Sequence, residues 1–430
     1  MLFFCLIVIY LYFNEFTLAF TPKIVWGHGA VFADSSIYIT GGIIPKNPNS
    51  FDGEHSKEFY YLDVGKPFRV GTGELPWVDL SPVSQILPAH VWSAFSNCGD
   101  SLILYIGEYG GQETDVYTYS LQQWNNLMTT NLPPSNYHSQ SQTVCDVKTG
   151  KMYRFGGNFQ SFAENTTKIN NNMNILDTHT RVWKIGGTIT NAPEGRYDHT
   201  GTLLPNGYIV YIGGKVRNVS VNRDVLVDMS LLPLYNTNDD TWTSKKTIGD
   251  PPTPRAYHSA VLTQDGRIIV YGGIDKAATD DLVILDISQA DYTWSRANVS
   301  TKSPLSRSYH TATLVGHYMF VIFGKNNEFL PPTTPNEVFI LDTSDKFNYK
   351  WVSEFDPNLI LPTPPTAPTP PTTPTPPTTQ DQNLSTQNRN LGIIILPIVL
   401  ILIGASFLIY FYRKRRLSRL DMFVHFPQIN

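Results

Sequence analysis

The sequence predicts an all-β body, built as a closed ring of six small sheets, with one transmembrane helix after it. Three observations carry this: a block of markers that recurs six times between about residues 24 and 355, a composition suited to strands and turns, and one long apolar run near the C-terminus. Charged residues are 16% of the 430, against about 25% in an average chain. Aromatics reach 13%, with 30 Gly and 31 Pro. Such a balance favours strands over long helices and excludes a coiled coil.

Each repeat begins near a histidine: His28, His90, His138, His199, His258 and His310. An apolar run then ends in glycine, at Gly41-Gly42, Gly107, Gly156-Gly157, Gly213-Gly214, Gly272-Gly273 and Gly324. After a variable loop comes a second apolar run, often closed by Asp, and then a tryptophan: Trp77, Trp124, Trp183, Trp242, Trp294 or Trp351. Successive tryptophans lie 47, 59, 59, 52 and 57 residues apart. Runs such as Ile268-Ile269-Val270-Tyr271 are too short for helices and lack polar alternation, so they read as strands covered on both faces. A glycine pair at the strand end permits positive φ or close backbone approach. Since one such sheet cannot cover its own two faces, the units must close on each other.

The fifth unit, Pro254-Arg255-Ala256-Tyr257-His258 followed by Tyr271-Gly272-Gly273, Leu285-Asp286 and Trp294, resembles a kelch repeat, and the whole body resembles a kelch-repeat β-propeller. The resemblance implies six blades, or seven if the stretch from Asp63 to His90 adds strands. Two units depart from it. The second has Gly107-Glu108 with Gly110-Gly111 displaced, and the sixth has Gly324-Lys325, both read as local bulges. Chains with a leader, kelch repeats and one C-terminal span resemble fungal membrane-anchored kelch proteins.

In an antiparallel four-stranded blade, the loop from strand 2 to 3 and the connector to the next blade emerge at one end. That face is the expected binding surface. The connectors bring Arg196 and Tyr197, Arg255 and Tyr257, and Arg307 and Tyr309, whose guanidinium forks and rings would hold a protein or glycan ligand. The alternative is that these residues brace the connectors. The repeat histidines and tryptophans read as packing and hydrogen-bonding groups, not as metal ligands. Cys98 and Cys145 follow their blade histidines by eight and seven residues, and an inter-blade disulfide or two buried thiols are both open. No copper-radical set, G-x-S-x-G, H-E-x-x-H or Walker loop is present, so neither a cofactor nor a metal is expected. A binding or adhesion module is the first reading, and a carbohydrate-active oxidase or epimerase-like propeller the second.

The flanks set the compartment. Residues 1–19 read as a signal peptide, 20–360 as the propeller ectodomain, and 361–390 as a stalk in which Pro362 to Thr379 holds nine Pro and eight Thr. Residues 391–412 carry no charge and are long enough to span a bilayer. Arg413-Lys414-Arg415-Arg416 opens the tail 413–430 and points it to the cytoplasm, which gives a type I protein of the plasma membrane or secretory pathway. Sequons at Asn165, Asn218, Asn298 and Asn383 fit that route. Three of them and the stalk exit are expected on the binding face. Without tail and leader the chain holds 27 Lys and Arg against 34 Asp and Glu, which excludes a basic track for nucleic acid.

Overall fold

Strands that are apolar on both faces need neighbours on both faces, and the chain supplies them by arranging six sheets round an axis. The structure, a computed structural model, describes residues 20–71, 75–106, 115–131, 140–161, 166–187, 191–218, 220, 223–274, 282–326 and 337–360. Blade 1 comprises Gly29–Ala33, Ser36–Thr40, Phe59–Asp63 and Trp77–Asp79. Blade 2 comprises Ala94–Asn97, Leu102–Ile106, Asp115–Ser120 and Gln123–Asn126, and blade 3 Thr143–Asp146, Lys151–Phe155, Met173–Asp177 and Val182–Gly186. Blade 4 is formed by Thr200–Leu203, Tyr208–Ile212, Leu231–Asn236 and Thr241–Lys246. Blade 5 is Ser259–Leu262, Arg267–Tyr271, Leu282–Asp286 and Thr293–Arg296, and blade 6 Thr311–Val315, Tyr318–Ile322, Val338–Asp342 and Lys350–Val352. Within each the strands pair antiparallel in sequence order, and first strands touch in the cycle 1 to 6 and back to 1.

The core is six wedges, one between each pair of neighbouring blades. Second strands are buried at every position in blades 2, 5 and 6, as their apolar runs require, with Arg267 at the start of the blade 5 strand bonded to Asp265 and Thr343. The closing tryptophans belong to fourth strands, and Trp124, Trp183, Trp242 and Trp294 are buried in the wedges. The stretch from Asp63 to His90 adds no seventh blade. It supplies the fourth strand of blade 1 and the short strand Phe68–Arg69, which pairs with Glu354–Phe355 after blade 6. Ring closure therefore needs no exchange of a blade strand, only this clip and the wedge in which Phe323, Phe320 and Phe355 pack on Ile37, Ile39 and Tyr60.

The glycine pairs are latches between blades. Gly42, Gly157, Gly214 and Gly273 each donate a backbone N–H to a carbonyl of the next blade's connector: His90, Arg196, Arg255 and Arg307, all at 2.9 Å. The first glycine of the pair faces the same carbonyl. A Cβ on Gly272 would lie 2.2 Å from the Arg307 oxygen, at a φ of +67°. In blade 6 the doublet is Phe323-Gly324, not Gly324-Lys325, and there is no bulge: Phe323 takes the first place with φ +54° and fills the seam against His28 and Trp77. Gly107 lies outside the described residues.

This latch also corrects the histidine series. His90 occupies the place of Arg196, Arg255 and Arg307, three residues before the true histidine position, which blade 2 fills with Ser93 and blade 3 with Ser141. His138 lies outside the described residues. At three of the four remaining positions His28 shares a hydrogen bond with Thr311, His258 with Thr200 and His310 with Ser259, each a hydroxyl on the preceding blade, whereas His199 packs against Phe155 and Tyr211. Burial holds these imidazoles neutral, with His28 and His258 lowered to about 3 and His310 also well below its usual range.

Blades 2 and 3, which lack the histidine, are joined instead by a Cys98–Cys145 disulfide with Cα atoms 5.3 Å apart. The described chain ends at Ile360, seated against Gly316 in the turn between strands 1 and 2 of blade 6. The exit thus lies on the face opposite the connectors, contrary to the sequence expectation. No helix among the described residues is long and apolar enough to cross a membrane, and the expected signal (1–19), stalk and span (391–412) lie outside them.

Two outcomes follow from the latches. Gly272→Ala should destabilise the fold by about 3 kcal/mol, from strain at positive φ together with the clash, measured as a lowered urea midpoint. Cys98→Ser should cost about 4 kcal/mol, the loop-closure value for the 47-residue separation, and intact mass without reduction should show two hydrogens fewer in the parent chain.

Candidate functional site

One residue before the histidine position, each blade enters its first strand with a left-handed residue: Gly27, Trp92, Gln140, Asp198, Tyr257 and Tyr309, with φ between +56° and +66°. This conformation is imposed by a backbone ring round the axis. Gly27 N–H donates to Tyr309 O, Trp92 to Gly27, Asp198 to Gln140, Tyr257 to Asp198 and Tyr309 to Tyr257, at 2.8 to 3.2 Å. A side chain at such a φ costs on the order of 1 kcal/mol, which glycine would avoid. Only blade 1 uses glycine.

The bulky side chains so retained meet at the mouth of the channel. Tyr257 and Tyr309 have ring centroids 4.1 Å apart, Trp92 lies 5.3 Å from Tyr309 and 6.2 Å from Tyr257, and Trp26 touches both Trp92 and Tyr309. Trp26 is buried, whereas Trp92, Tyr257 and Tyr309 are half-buried and form a floor open to solvent.

Around the floor stand ribbons formed by the long loops between strands 2 and 3. Ile43–Pro45 pairs with Gly53–His55, Asn158–Ser161 with Thr166–Ile169, and Lys215–Asn218 with Arg223–Leu226. The first ribbon brings exposed Phe51 edge-on to Trp26. Lys325, lowered to about 8 by burial, lies 4.2 Å above Phe51 and donates to Ser50 O.

On the other side, Lys215 Nζ sits 4.0 Å from the Tyr257 ring and donates to its Oη at 2.5 Å. The same ammonium is 3.6 Å from Asp198. The Asp198 carboxyl is raised to about 7 because burial penalises its charge, and Lys215 only partly offsets this.

The expected ligand set divides in two. Tyr257 and Tyr309 are part of the floor, and Tyr197 stands beside it, donating from Oη to Asp224 at 2.8 Å. The three arginines are buried and turned into their own blades: Arg196 donates to Gly213 O, Arg255 to Gly272 O, and Arg307 to Phe323 O and Glu337. They brace the connectors and do not reach the mouth. Sequence reasoning missed Trp26, Trp92, Asp198, Lys215 and Lys325. Trp92 and Asp198 become visible once the register is set by the glycine latch instead of by histidine.

The glycosylation candidates separate as well. Asn218 is on the mouth ribbon, while Asn298 is at the rim, where it donates to Phe347 O in the strand 3 to 4 turn of blade 6. Asn165 and Asn383 lie outside the described residues. Among the described residues no three His, Cys, Asp or Glu side chains gather as for a metal.

Comparison with known proteins agrees on the fold. The KLHDC2/KLHL20/DRC7 Kelch-repeats domain matches residues 27–234 and 220–367. Acyl-CoA-binding domain-containing protein 5 of Arabidopsis thaliana is 24% identical over 53% of this chain and 35% of its own length. Rab9 effector protein with kelch motifs of Bos taurus is 27% identical over 41% of this chain and 45% of its own. In each case the match spans less than half of the relative. Among solved structures, that of YjhT superposes with a TM-score of 0.56 at 14% identity, covering 77% of this chain and 98% of that one.

Asp198 gives a pH prediction with a definite sign. With its folded value near 7 and the unfolded value near 4, the folded chain holds a proton that the unfolded chain lacks, so this carboxyl lowers stability as pH rises through that window. Asp198→Asn should therefore stabilise more at pH 8 than at pH 4, by on the order of 4 kcal/mol, read from melting curves of both chains across the range.

Proposed function

The chain belongs to the KLHDC2/KLHL20/DRC7 kelch-repeat family, and we propose that its propeller is a protein-binding module whose partner seats on the aromatic mouth. One observation carries this reading: Trp92, Tyr257 and Tyr309 are kept at positive φ where glycine would relieve strain, and their rings remain half open to solvent. Exposed Trp and Tyr grouped at the centre of a concave face, with ribbons as a rim, are the usual composition of an interface hot spot. Tyr197, Tyr257 and Tyr309 are the members of the expected ligand set that stay in this reading. A glycan is the second ligand class, favoured by the same rings, which offer stacking faces beside the polar Gln140 and Asp198. Either role is binding, not catalysis.

We place the propeller outside the cytoplasm as a type I membrane protein, with residues 391–412 in the bilayer and the Pro/Thr stalk between. The Cys98–Cys145 bond supports an oxidising compartment. Asn218 and Asn298 are the described positions where N-glycans would be carried.

The full chain, cross-linked in its own cells, provides the test. A protein recovered with the parent chain should fall by at least about 30-fold with Trp92→Ala and Tyr309→Ala together, the loss of a hot spot worth 2 kcal/mol. Leu121→Ala, in a fully exposed turn on the opposite face, should leave it unchanged. An identical set of recovered proteins for all three chains would remove the mouth as the contact.

A further inference from the structure

The outermost strand of a blade has one side without a neighbour, and in three blades the chain covers it with the connector arriving from the blade before. In each, that connector is a strap laid parallel to strand 4. In blade 3, Thr130 N–H donates to Arg181 O and Trp183 N–H to Thr130 O. In blade 5, Ile248 N–H donates to Tyr292 O and Asp250 N–H to Trp294 O, and in blade 6, Tyr349 N–H donates to Asn298 O and Ser300 N–H to Tyr349 O. Two closing tryptophans hold the strap as well, Trp183 Nε1–H donating to Thr129 Oγ1 and Trp351 Nε1–H to Ser303 Oγ.

Blade 2 has no such strap among the described residues. Its outer strand, Gln123–Asn126, pairs inward with Asp115–Ser120. Leu127 N–H donates inward to Val116 O, so by strand alternation the N–H and C=O groups of Trp124 and Asn126 point outward. Gln123, Asn125 and Asn126 are exposed, and the buried Trp124 Nε1 has no strap hydroxyl to receive its hydrogen bond. The connector that would lie here is held over blade 1 instead, where Leu80 N–H donates to Phe59 O and Ser84 Oγ to Lys57 O.

Soluble proteins guard an open sheet edge with charge. The other five outer strands carry it, as Asp79, Lys184, Lys245 with Lys246, Arg296, and Lys350. Gln123-Trp124-Asn125-Asn126 carries none. The edge that lacks a strap thus lacks a guard as well. Its outward N–H and C=O groups recur every second residue, a spacing that an extended polypeptide matches and a sugar or lipid does not. A second copy would pair through this strand of four residues, far less than the roughly 800 Å² per partner of a stable contact. The Pro/Thr stretch from Pro362 to Thr379 is no better, since its nine prolines have no N–H to donate.

We propose that the outer edge of blade 2 takes an extended segment of a partner protein, laid parallel to Gln123–Asn126 as a fifth strand. This surface extends the protein-binding reading to residues separate from those of the mouth.

The experiment uses the full chain in detergent micelles. Its probe is a capped hexapeptide with the sequence of Asn298–Ser303, the strap of blade 6, carrying a photoreactive benzophenone on its N-terminal cap. In that strap Ser300 N–H faces the edge and, by alternation, Val299 N–H faces away. Two analogues are N-methylated, one at the valine and one at the first serine. The plain peptide and the valine analogue should cross-link within Gln123–Met128, located by mass spectrometry of the digest. The serine analogue should give at least about 10-fold less, through loss of a backbone hydrogen bond. Asn126→Pro removes an outward N–H and spares the inward Leu127 bond, and Asn125→Lys adds the missing guard. Each variant whose melting curve matches the parent should lower the yield of the plain peptide by at least about 10-fold, and either suffices if the other fails to fold.

Cross-linking outside Gln123–Met128, equal yields from the two N-methyl peptides, or an unchanged yield in a folded variant overturns the proposal. So does slow amide exchange at Trp124 and Asn126 in the parent chain without peptide, which would mean that a second copy or another part of the chain already lies there. The chain with Trp92→Ala and Tyr309→Ala should bind the peptide as the parent does. If capture in cells needs the mouth and the peptide does not bind, the mouth reading stands and the edge falls. If the peptide binds through Asn126 while capture is indifferent to the mouth, the edge stands and the mouth reading falls.

Discussion

Every part of this molecule answers to one constraint: a four-stranded blade has two apolar faces and can cover neither alone. The six wedges between blades are therefore the core, and no single blade owns a buried interior. Such a ring has no free sheet face only if it closes, so the contact between the last blade and the first must match the other five. Here that contact joins elements from opposite ends of the body. It is met by aromatic packing, in which Phe323 displaces a glycine and Phe355 is clipped back beside Phe68. Closure by packing in place of a shared strand explains why a buried phenylalanine is tolerated in a left-handed conformation there.

Near the axis, where blades converge, side-chain packing gives way to repeated hydrogen bonds. Glycine N–H groups, the histidine–hydroxyl pairs and the ring of left-handed backbone all join one blade to the next. Where one device is missing, another stands in: Ser93 and Ser141 occupy the histidine positions without its hydrogen bond, and the disulfide holds the same two blades. His90 takes an arginine's place, yet its ring still reaches back to Thr40 of the preceding blade. These substitutions show that the position, and not the residue type, is what the fold demands.

That distinction sets what could be read from the sequence. Six blades, their strands and the face on which the long loops gather were legible, because apolar runs, glycine pairs and tryptophans are direct consequences of burial. The histidine series misled in blade 2, since identical residues three places apart serve different roles, and nothing in the one-dimensional pattern separates them. Arg196, Arg255 and Arg307 were legible as a set but not in direction. A guanidinium following a connector can turn to the channel or back to its blade, and the carbonyl freed at the end of strand 2 decides for the blade. Trp26 and Trp92 escaped notice because they meet each other across 66 residues, each unremarkable in its own repeat.

Backbone strain at bulky residues then points to the mouth. In the wedges, nearly every residue sits where packing alone would put it. At the mouth, three aromatic residues adopt a conformation glycine would hold at lower cost, and a carboxyl is buried beside Lys215. The backbone ring forms with glycine at Gly27, so the backbone alone does not require Trp92, Asp198, Tyr257 or Tyr309 at the other places. What those side chains share is access to the mouth, and an axial site is the one location where six blades can each present a residue to a single guest.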